Sequence, residues 1–353
     1  MQYVSETRVS RSTRICRERA LPRPGEVLVN PGDHVEPTQI VARANVPGDF
    51  RILPVARLLG VSASEAEAHL EVGLGETVHR GDVIARRGGF LGPSVESPID
   101  GVMTATGGGR VLIEAPPAPF ELHAHISGTV LDVADNQIIS IETPGALIEA
   151  FWGVGGESVG VVKVMSERPN ESLEADIIDP SCHGSVLVAG VTRDRESLIR
   201  AQDIEARGIV TGGLVPELLP ILESLPFPVI VTAGFREVAM IDEIFDLLRE
   251  NEGREASIGG QTGREWNGQR PEIIIPRPNT EPPVRERQQF GQLAPGVRVR
   301  IIRAPHAGSV GTVLDIPRYA RRIATGTRVR CAEVDIGQGE PVFVPLVNLD
   351  ILG

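Results

Sequence analysis

Four settings in the chain hold residue types that could do chemistry. Cys182 and His183 are neighbours, and a thiolate assisted by an imidazole is a nucleophile. Adjacent residues of a strand point to opposite faces, which favours a buried cysteine beside a turn histidine instead. Lys163 is the only lysine among 35 basic residues. In Val161-Val162-Lys163-Val164-Met165 the alternation reads as a strand whose lysine points outward. His123 and His125, two apart, share a face if they lie on one strand. Two imidazoles without a carboxylate or cysteine cluster do not complete a metal site, so no metal is expected. The fourth setting is non-covalent. Val191-Thr192, Val210-Thr211-Gly212-Gly213 and Val231-Thr232-Ala233-Gly234 each close an apolar run. If the runs are parallel strands, Thr192, Thr211, Gly212, Gly213, Thr232 and Gly234 line one sheet edge, where hydroxyls and backbone N–H groups hold small anions. Arg193, Arg195 and Arg236 stand nearby. The plainer reading is that threonine caps each following helix and glycine turns the chain. No acid–base set accompanies any of these settings, and the reading leans away from an enzyme.

The elements that must position these residues fall into blocks. Over 176–260 apolar runs at Ser185–Ala189, Gly208–Val210 and Pro228–Val231 alternate with helical patterns at Glu196–Arg207, Val215–Leu225 and Arg236–Glu250. That order predicts a small parallel sheet of two or three layers, with helices on its faces. The block is net acidic, which discourages nucleic acid as its ligand. Gly153-Val154-Gly155-Gly156-Glu157 lacks the Gly-Lys-Ser/Thr of a phosphate loop and reads as a tight turn or bulged hairpin. Residues 1–23 carry Arg8, Arg11, Arg14, Arg17, Arg19 and Arg23 and read as a basic arm, either solvated or anion-binding. Residues 261–292, with Pro276, Pro278, Pro282 and Pro283, suit an extended linker, preceded by an edge strand at Glu272–Ile275.

Composition narrows the classes. The 353 residues allow two to four domains. The 39 glycines and 28 prolines favour short strands and turns over long helices. A net charge of −12 and 4% aromatics argue against nucleic-acid binding spread over the whole surface. Cys16, Cys182 and Cys331 are too scattered for a disulfide framework. The polar, Arg-rich start is unlike a secretory signal, and Leu218–Val231, the most apolar window, is broken by Glu223 and prolines. A cytoplasmic protein without membrane insertion is expected.

A repeat organises the first third. Pro31-Gly32-Asp33-His34-Val35, followed by Ile40-Val41-Ala42-Arg43, recurs as Leu74-Gly75-Glu76-Thr77-Val78, followed by Val83-Ile84-Ala85-Arg86. Related turns follow at Asp100-Gly101-Val102 and Ser127-Gly128-Thr129-Val130. This Gly-acid-x-Val grammar over residues 24–165 resembles the lipoyl/biotinyl-like barrel-sandwich hybrid. That resemblance makes Lys163 a cofactor-attachment candidate, although Val162 and Val164 replace the methionines of the biotinyl pattern. With the outward strand lysine preferred, no cofactor is expected. At the other end, Gly296, Val299, Gly308, Gly311 and Val313 resemble a KOW motif in an SH3-like barrel. Eight arginines against five acids give residues 293–353 a net charge of +3. They include Arg298, Arg300, Arg303, Arg318, Arg321 and Arg322, of which Arg298, Arg300, Arg303, Arg321 and Arg322 are the candidate contacts with RNA or a protein. Only Tyr319 and Phe343 could stack on bases. The order of modules resembles an uncharacterised family of bacterial KOW-domain proteins, which implies an arrangement and no activity.

The expected fold is therefore multidomain and mainly β with one α/β domain. It divides into a basic arm (1–23), a barrel-sandwich module (24–120), a second β module (121–170), the α/β domain (171–260), the linker (261–292) and an SH3-like barrel (293–353). The expected function is a non-enzymatic adaptor with a protein partner. The alternatives are an accessory subunit of a redox or cofactor-handling complex, with a small anion in the α/β domain, or an RNA- or ribosome-associated factor acting through the KOW-like end.

Overall fold

The chain is mainly β, with 46% strand against 14% helix. The structure is a computed structural model and describes residues 5–7, 9–88, 92–261, 270–277, 293–301, 303, 305–306, 308–323, 326–337 and 339–352. The first strands are β1 (Ser5–Thr7), β2 (Val9–Ala20), β3 (Glu26–Val27), β4 (His34–Val35) and β5 (Ile40–Val46). The first repeat copy makes β4 and β5. Gly32 takes φ 95°, which glycine adopts without strain, and the Asp33 carboxylate accepts the Asn30 N–H at 2.8 Å. After β6 (Phe50–Leu53) and α1 (Val55–Leu59), the second copy repeats this turn. Gly75 lies at φ 83° and the Glu76 carboxylate accepts the Gly73 N–H at 2.8 Å. It leads into β7 (Thr77–Val78) and β8 (Val83–Arg86), followed by β9 (Ser94–Glu96), β10 (Gly101–Gly107), β11 (Arg110–Glu114), β12 (Ala118–His123), β13 (Gly128–Ala134) and β14 (Ile138–Glu149).

The two copies belong to two nested units. β7 pairs with β10, β10 with β11 and β11 with β6, over a core of Val78, Ile84, Met103 and Ile113. β4 pairs with β13, β13 with β14 and β5 with β12, over a core of Val35, Val41, Val130 and Ile141. The inner unit is thus an insertion between β5 and β12 of the outer one. Their closures match: Gly75 N–H donates to Met103 O, and Gly32 N–H to Val130 O, both at 2.8 Å. A Cβ on Gly101 would lie 2.4 Å from Glu114 O, and one on Gly128 2.4 Å from Glu142 O. The expected module 24–120 therefore contains all of the inner unit but only half of the outer one, whose second half is 118–149.

Next come β15 (Trp152–Val154), β16 (Glu157–Val164), β17 (Ser185–Thr192), α2 (Arg195–Asp203), β18 (Gly208–Leu214), α3 (Leu219–Leu222), β19 (Val229–Gly234), α4 (Asp242–Glu250), β20 (Glu255–Gly259) and β21 (Glu272–Pro276). β16, β17, β18 and β19 are parallel neighbours. Asp194 starts α2 by accepting the Ser197 N–H at 2.7 Å. Leu187, Ile209 and Val229 on one sheet face pack with α2 and α3 through Leu198 and Leu222. Val186, Val210 and Ile230 on the other face pack with α4 through Ile244 and Phe245. From β16 the sheet continues antiparallel through β20 and β21 to β14. It therefore crosses the expected 170/171 division, because the 12-residue β14 pairs with β13 in its first half and β21 in its second. β21 is paired on both sides and its Ile273–Ile275 are buried, so it is an interior strand and not an edge. Residues 278–292 of the expected linker lie outside the described residues.

The last block holds β22 (Arg298–Ile301), β23 (Val310–Asp315), β24 (Arg321–Arg322), β25 (Arg328–Val329), β26 (Cys331–Asp335), β27 (Val342–Pro345) and β28 (Leu349–Leu352). Its main sheet runs β1-β28-β22-β23-β26-β27 over a core of Val299, Val313, Val334 and Leu349, and β24–β25 form a separate hairpin. Among the described residues no helix is long and apolar enough to cross a membrane.

Candidate functional site

The strand ends singled out from sequence are interior. Thr192, Thr211 and Thr232 are fully buried. The Thr211 hydroxyl donates to Gly213 O at 2.9 Å and the Thr232 hydroxyl to Thr211 O at 3.2 Å. Residues 236–241, expected as the first turns of a helix ending at Glu250, instead lie across these ends. A Cβ on Gly212 would sit 2.2 Å from Met240 N, and one on Gly213 2.2 Å from Arg236 O. Met240 N–H in turn donates to Pro169 O at 2.8 Å. Gly234 meets Gly308 of the C-terminal block: a Cβ on it would stand 3.7 Å from the Gly308 Cα. The glycines make room for backbone, and the six residues line a seam rather than the open sheet edge expected to hold an anion.

Arg300 completes that seam. It is fully buried, its Nη1 donates to Thr232 O, and its guanidinium lies 5.6 Å from the Phe151 ring centroid. It is an internal anchor, which removes it from the candidate partner contacts. Arg298 pairs with Glu243 on α4, while Arg303 is exposed.

The nucleophile settings are kept apart. Cys182 is fully buried with Sγ 3.9 Å from Met165 Sδ, whereas His183 is exposed and its Nδ1 lies 3.1 Å from Ile204 O. Lys163 lies within β16, opposite Leu187 of β17, and donates to the Ser181 hydroxyl at 2.5 Å. That hydroxyl is turned toward Asp179, and the hydrogen bonds from Ser181 hold the Asp179 carboxyl below its usual range. His123 ends β12, but His125 takes φ 67° between strands, so the two do not share a strand face.

Two arrangements assemble charge. The first is a cavity of about 300 Å³ lined, among the described residues, by Arg17, His125, Glu149, Glu157, Gly259, Gln261, Arg270 and Glu272. Its floor is one cross-strand row: Glu149 stands opposite Glu272, Glu272 opposite Gly259, and Gly259 opposite Glu157. Such carboxylates repel unless cations reach them. Strand β2, paired with β14, supplies these cations. Arg17 Nε donates to Glu272 Oε1 at 2.7 Å, and its Nη2 donates to Oε2. Arg19 grips both Glu157 oxygens at 2.6 and 2.7 Å. Arg11 and Arg14 of the same strand pair with Glu250 and Glu142. Within the basic arm, the four arginines of β2 are thus met by carboxylates of the molecule itself, while Arg23 beyond the strand is exposed and Arg8 lies outside the described residues. Burial pushes the Arg17 pKa down, but its Glu272 partner outweighs this and the net shift is upward. Burial likewise works against the Glu157 carboxylate, and the Arg19 bonds override it, leaving that pKa lowered. His125 has its pKa lowered mainly by burial, which keeps the ring neutral.

The second arrangement is the β24–β25 hairpin. Arg318, Tyr319, Arg321, Arg322, Arg328 and Arg330 are all exposed, Tyr319 at 85%. Residues 316–332 hold five arginines and no acid. Among the described residues, Arg318, Arg321, Arg322 and Arg328 form no ion pair. Arg321 stacks 3.6 Å from the Phe343 ring centroid, and Arg322 Nε donates to Gly326 O at 3.1 Å. Of the six arginines named from sequence, Arg318, Arg321 and Arg322 belong to this cluster, as does Tyr319, named there as a stacking ring. Arg328 and Arg330 were not singled out, though they stand in the same basic, acid-free stretch. The cavity left a weaker trace, the i, i+2 spacing of Arg17 and Arg19 on a strand. Compared with protein-family models and with curated proteins, the chain matches none.

Proposed function

We propose that the chain is a non-enzymatic binding protein that grips single-stranded RNA with the basic hairpin of its C-terminal block. In this reading that block is an SH3-like barrel of the KOW kind. The nested β units are barrel-sandwich modules, and with the α/β block they form a scaffold. The observation that carries it is the contrast between two sets of arginines. Those of β2 are taken up by glutamates, while Arg318, Arg321, Arg322 and Arg328 are exposed and, among the described residues, without ion-pair partners. Guanidiniums left free of carboxylates are what phosphates require. The exposed Tyr319 ring offers a stacking face that any base accepts. A net charge of −12 opposes diffuse binding and confines the contact to this hairpin.

The test is fluorescence anisotropy of the full chain with labelled oligouridylate across a salt series. Binding weakens with salt. Arg322→Ala lowers the logarithmic salt slope by about 0.7, the value of one single-strand phosphate contact. Tyr319→Ala weakens binding by about 1–3 kcal/mol at unchanged slope. Absence of binding at low salt refutes the reading.

One observation favours a protein-partner adaptor as the second reading. β6 is an edge strand with Phe50 58% and Ile52 54% exposed, the kind of edge that accepts another strand. The accessory-subunit reading loses support, since its anion site was the strand ends now buried.

A further inference from the structure

The charged cavity is independent of the hairpin and carries its own inference. We propose that it binds a small zwitterion of the α-amino-acid class. At about 300 Å³ it stands at the small end of ligand sites. Among the described residues the lining holds both signs, Arg17 and Arg270 with Glu149, Glu157 and Glu272, while Arg19 binds Glu157 from behind the wall and the His125 ring is neutral. A ligand of one charge alone would leave one sign of this lining unanswered, and an apolar one would strand its polar walls. A zwitterion does neither.

The open hydrogen-bonding capacity has both signs. Arg17 uses Nε and Nη2 on Glu272 and Nη1 on Cys16 O, which leaves two of its five N–H groups. Among the described residues, the His125 ring nitrogens and the Gln261 amide have no partner. Each Arg-bound carboxylate keeps lone pairs beyond the two its guanidinium takes. Gly259, between Glu272 and Glu157, supplies the space: a Cβ there would meet nothing within 4 Å. The ligand's carboxylate takes the Arg17 N–H groups, and its ammonium sits over Gly259 among the glutamate oxygens.

The experiment screens the proteinogenic amino acids by thermal shift on the full chain, then retests each hit as its N-acetyl and carboxamide forms. At least one amino acid raises Tm saturably, and blocking either end weakens binding at least about tenfold. A Cβ at Gly259 has open space, so Gly259→Leu projects its side chain into the cavity and the variant loses the shift. If that variant is unstable, the His125 ring resonance of the unaltered protein decides, by moving as a hit amino acid is titrated. No shift with any amino acid, equal binding of blocked forms, a full shift in a stable Gly259→Leu protein, or a stationary His125 resonance overturns the proposal.

Discussion

Arg300 is a charge placed where burial is costly, and its removal has a calculable consequence. The side chain is fully buried in the seam between the C-terminal block and the ends of the parallel strands. Arg300→Ala removes a charge-assisted hydrogen bond to Thr232 O, worth about 1.5–3 kcal/mol. It also removes a desolvated cation–π contact with Phe151, worth about 2 kcal/mol. The void left by the stem adds to both, while the relieved desolvation of the guanidinium offsets part of the loss. The net expectation is about 3–5 kcal/mol. Arg300→Met keeps most of the volume and relieves the same desolvation, leaving chiefly an unsatisfied carbonyl at about 1–3 kcal/mol.

The loss falls on docking, so the assay must see the seam. Trp152 packs edge-on against Phe235 at 5.0 Å, and Phe235 also meets Phe151 at 5.9 Å. Guanidinium unfolding followed by Trp152 emission, in a Trp266→Phe background, reports this cluster. Arg300→Ala shifts the transition that carries the Trp152 signal, and Arg300→Met shifts it by less. A change below about 1 kcal/mol for the alanine variant refutes the anchoring role.

Two other expectations follow from the geometry. Gly101→Ala and Gly128→Ala each force a Cβ to 2.4 Å from a carbonyl oxygen and destabilise by about 1–3 kcal/mol, while Gly156→Ala, whose Cβ meets nothing within 4 Å, stays within about 0.5. Denaturant midpoints check both, and a large difference between the paired variants contradicts the equivalence of the nested units. Stability also falls on acidification. Unfolded His125 takes a proton near pH 6.5, while the buried ring resists it, so stability is complete above that value and declines as pH falls through the lower folded pKa. Glu157, also lowered, adds a decline at more acid pH. His125→Gln flattens the first decline, and an unchanged pH profile of the unfolding midpoint rejects it.

What could be read from sequence follows the range of the forces involved. The Gly-acid-x-Val turns were legible because Gly32 and Gly75 need positive φ and the acid clamps a backbone N–H within the same few residues. The parallel runs were legible because every residue from Ser185 to Thr192 is buried, which leaves an unbroken apolar stretch. The nesting was not legible. Whether β4 closes with Gly101 or Gly128 depends on strands about a hundred residues apart, and both glycines carry the same local pattern. The strand-end site failed for a related reason. Thr-Gly ends look alike under solvent or under protein, and the covering residues, Met240 and Gly308, lie far along the chain.

The use of arginine over lysine, a composition that looked idiosyncratic, follows from the same long-range pairing. Strand β2 must lie against β14 and reach carboxylates on β16, β21 and the end of α4. A lysine in place of Arg17 or Arg19 would offer a point charge to each carboxylate, leaving one oxygen of Glu272 or Glu157 facing the others of its row. The guanidinium fork engages both oxygens and fixes the carboxylate plane. It also keeps its charge when buried, as Arg300 must. The one lysine sits where a point charge suffices, on the Ser181 hydroxyl beside Asp179. The arginine bias is thus a requirement of seams, each built where a strand from one unit meets acids of another. On the β24–β25 hairpin the same residue type stands exposed and, among the described residues, without ion pairs at Arg318, Arg321, Arg322 and Arg328, where an external anion can supply them.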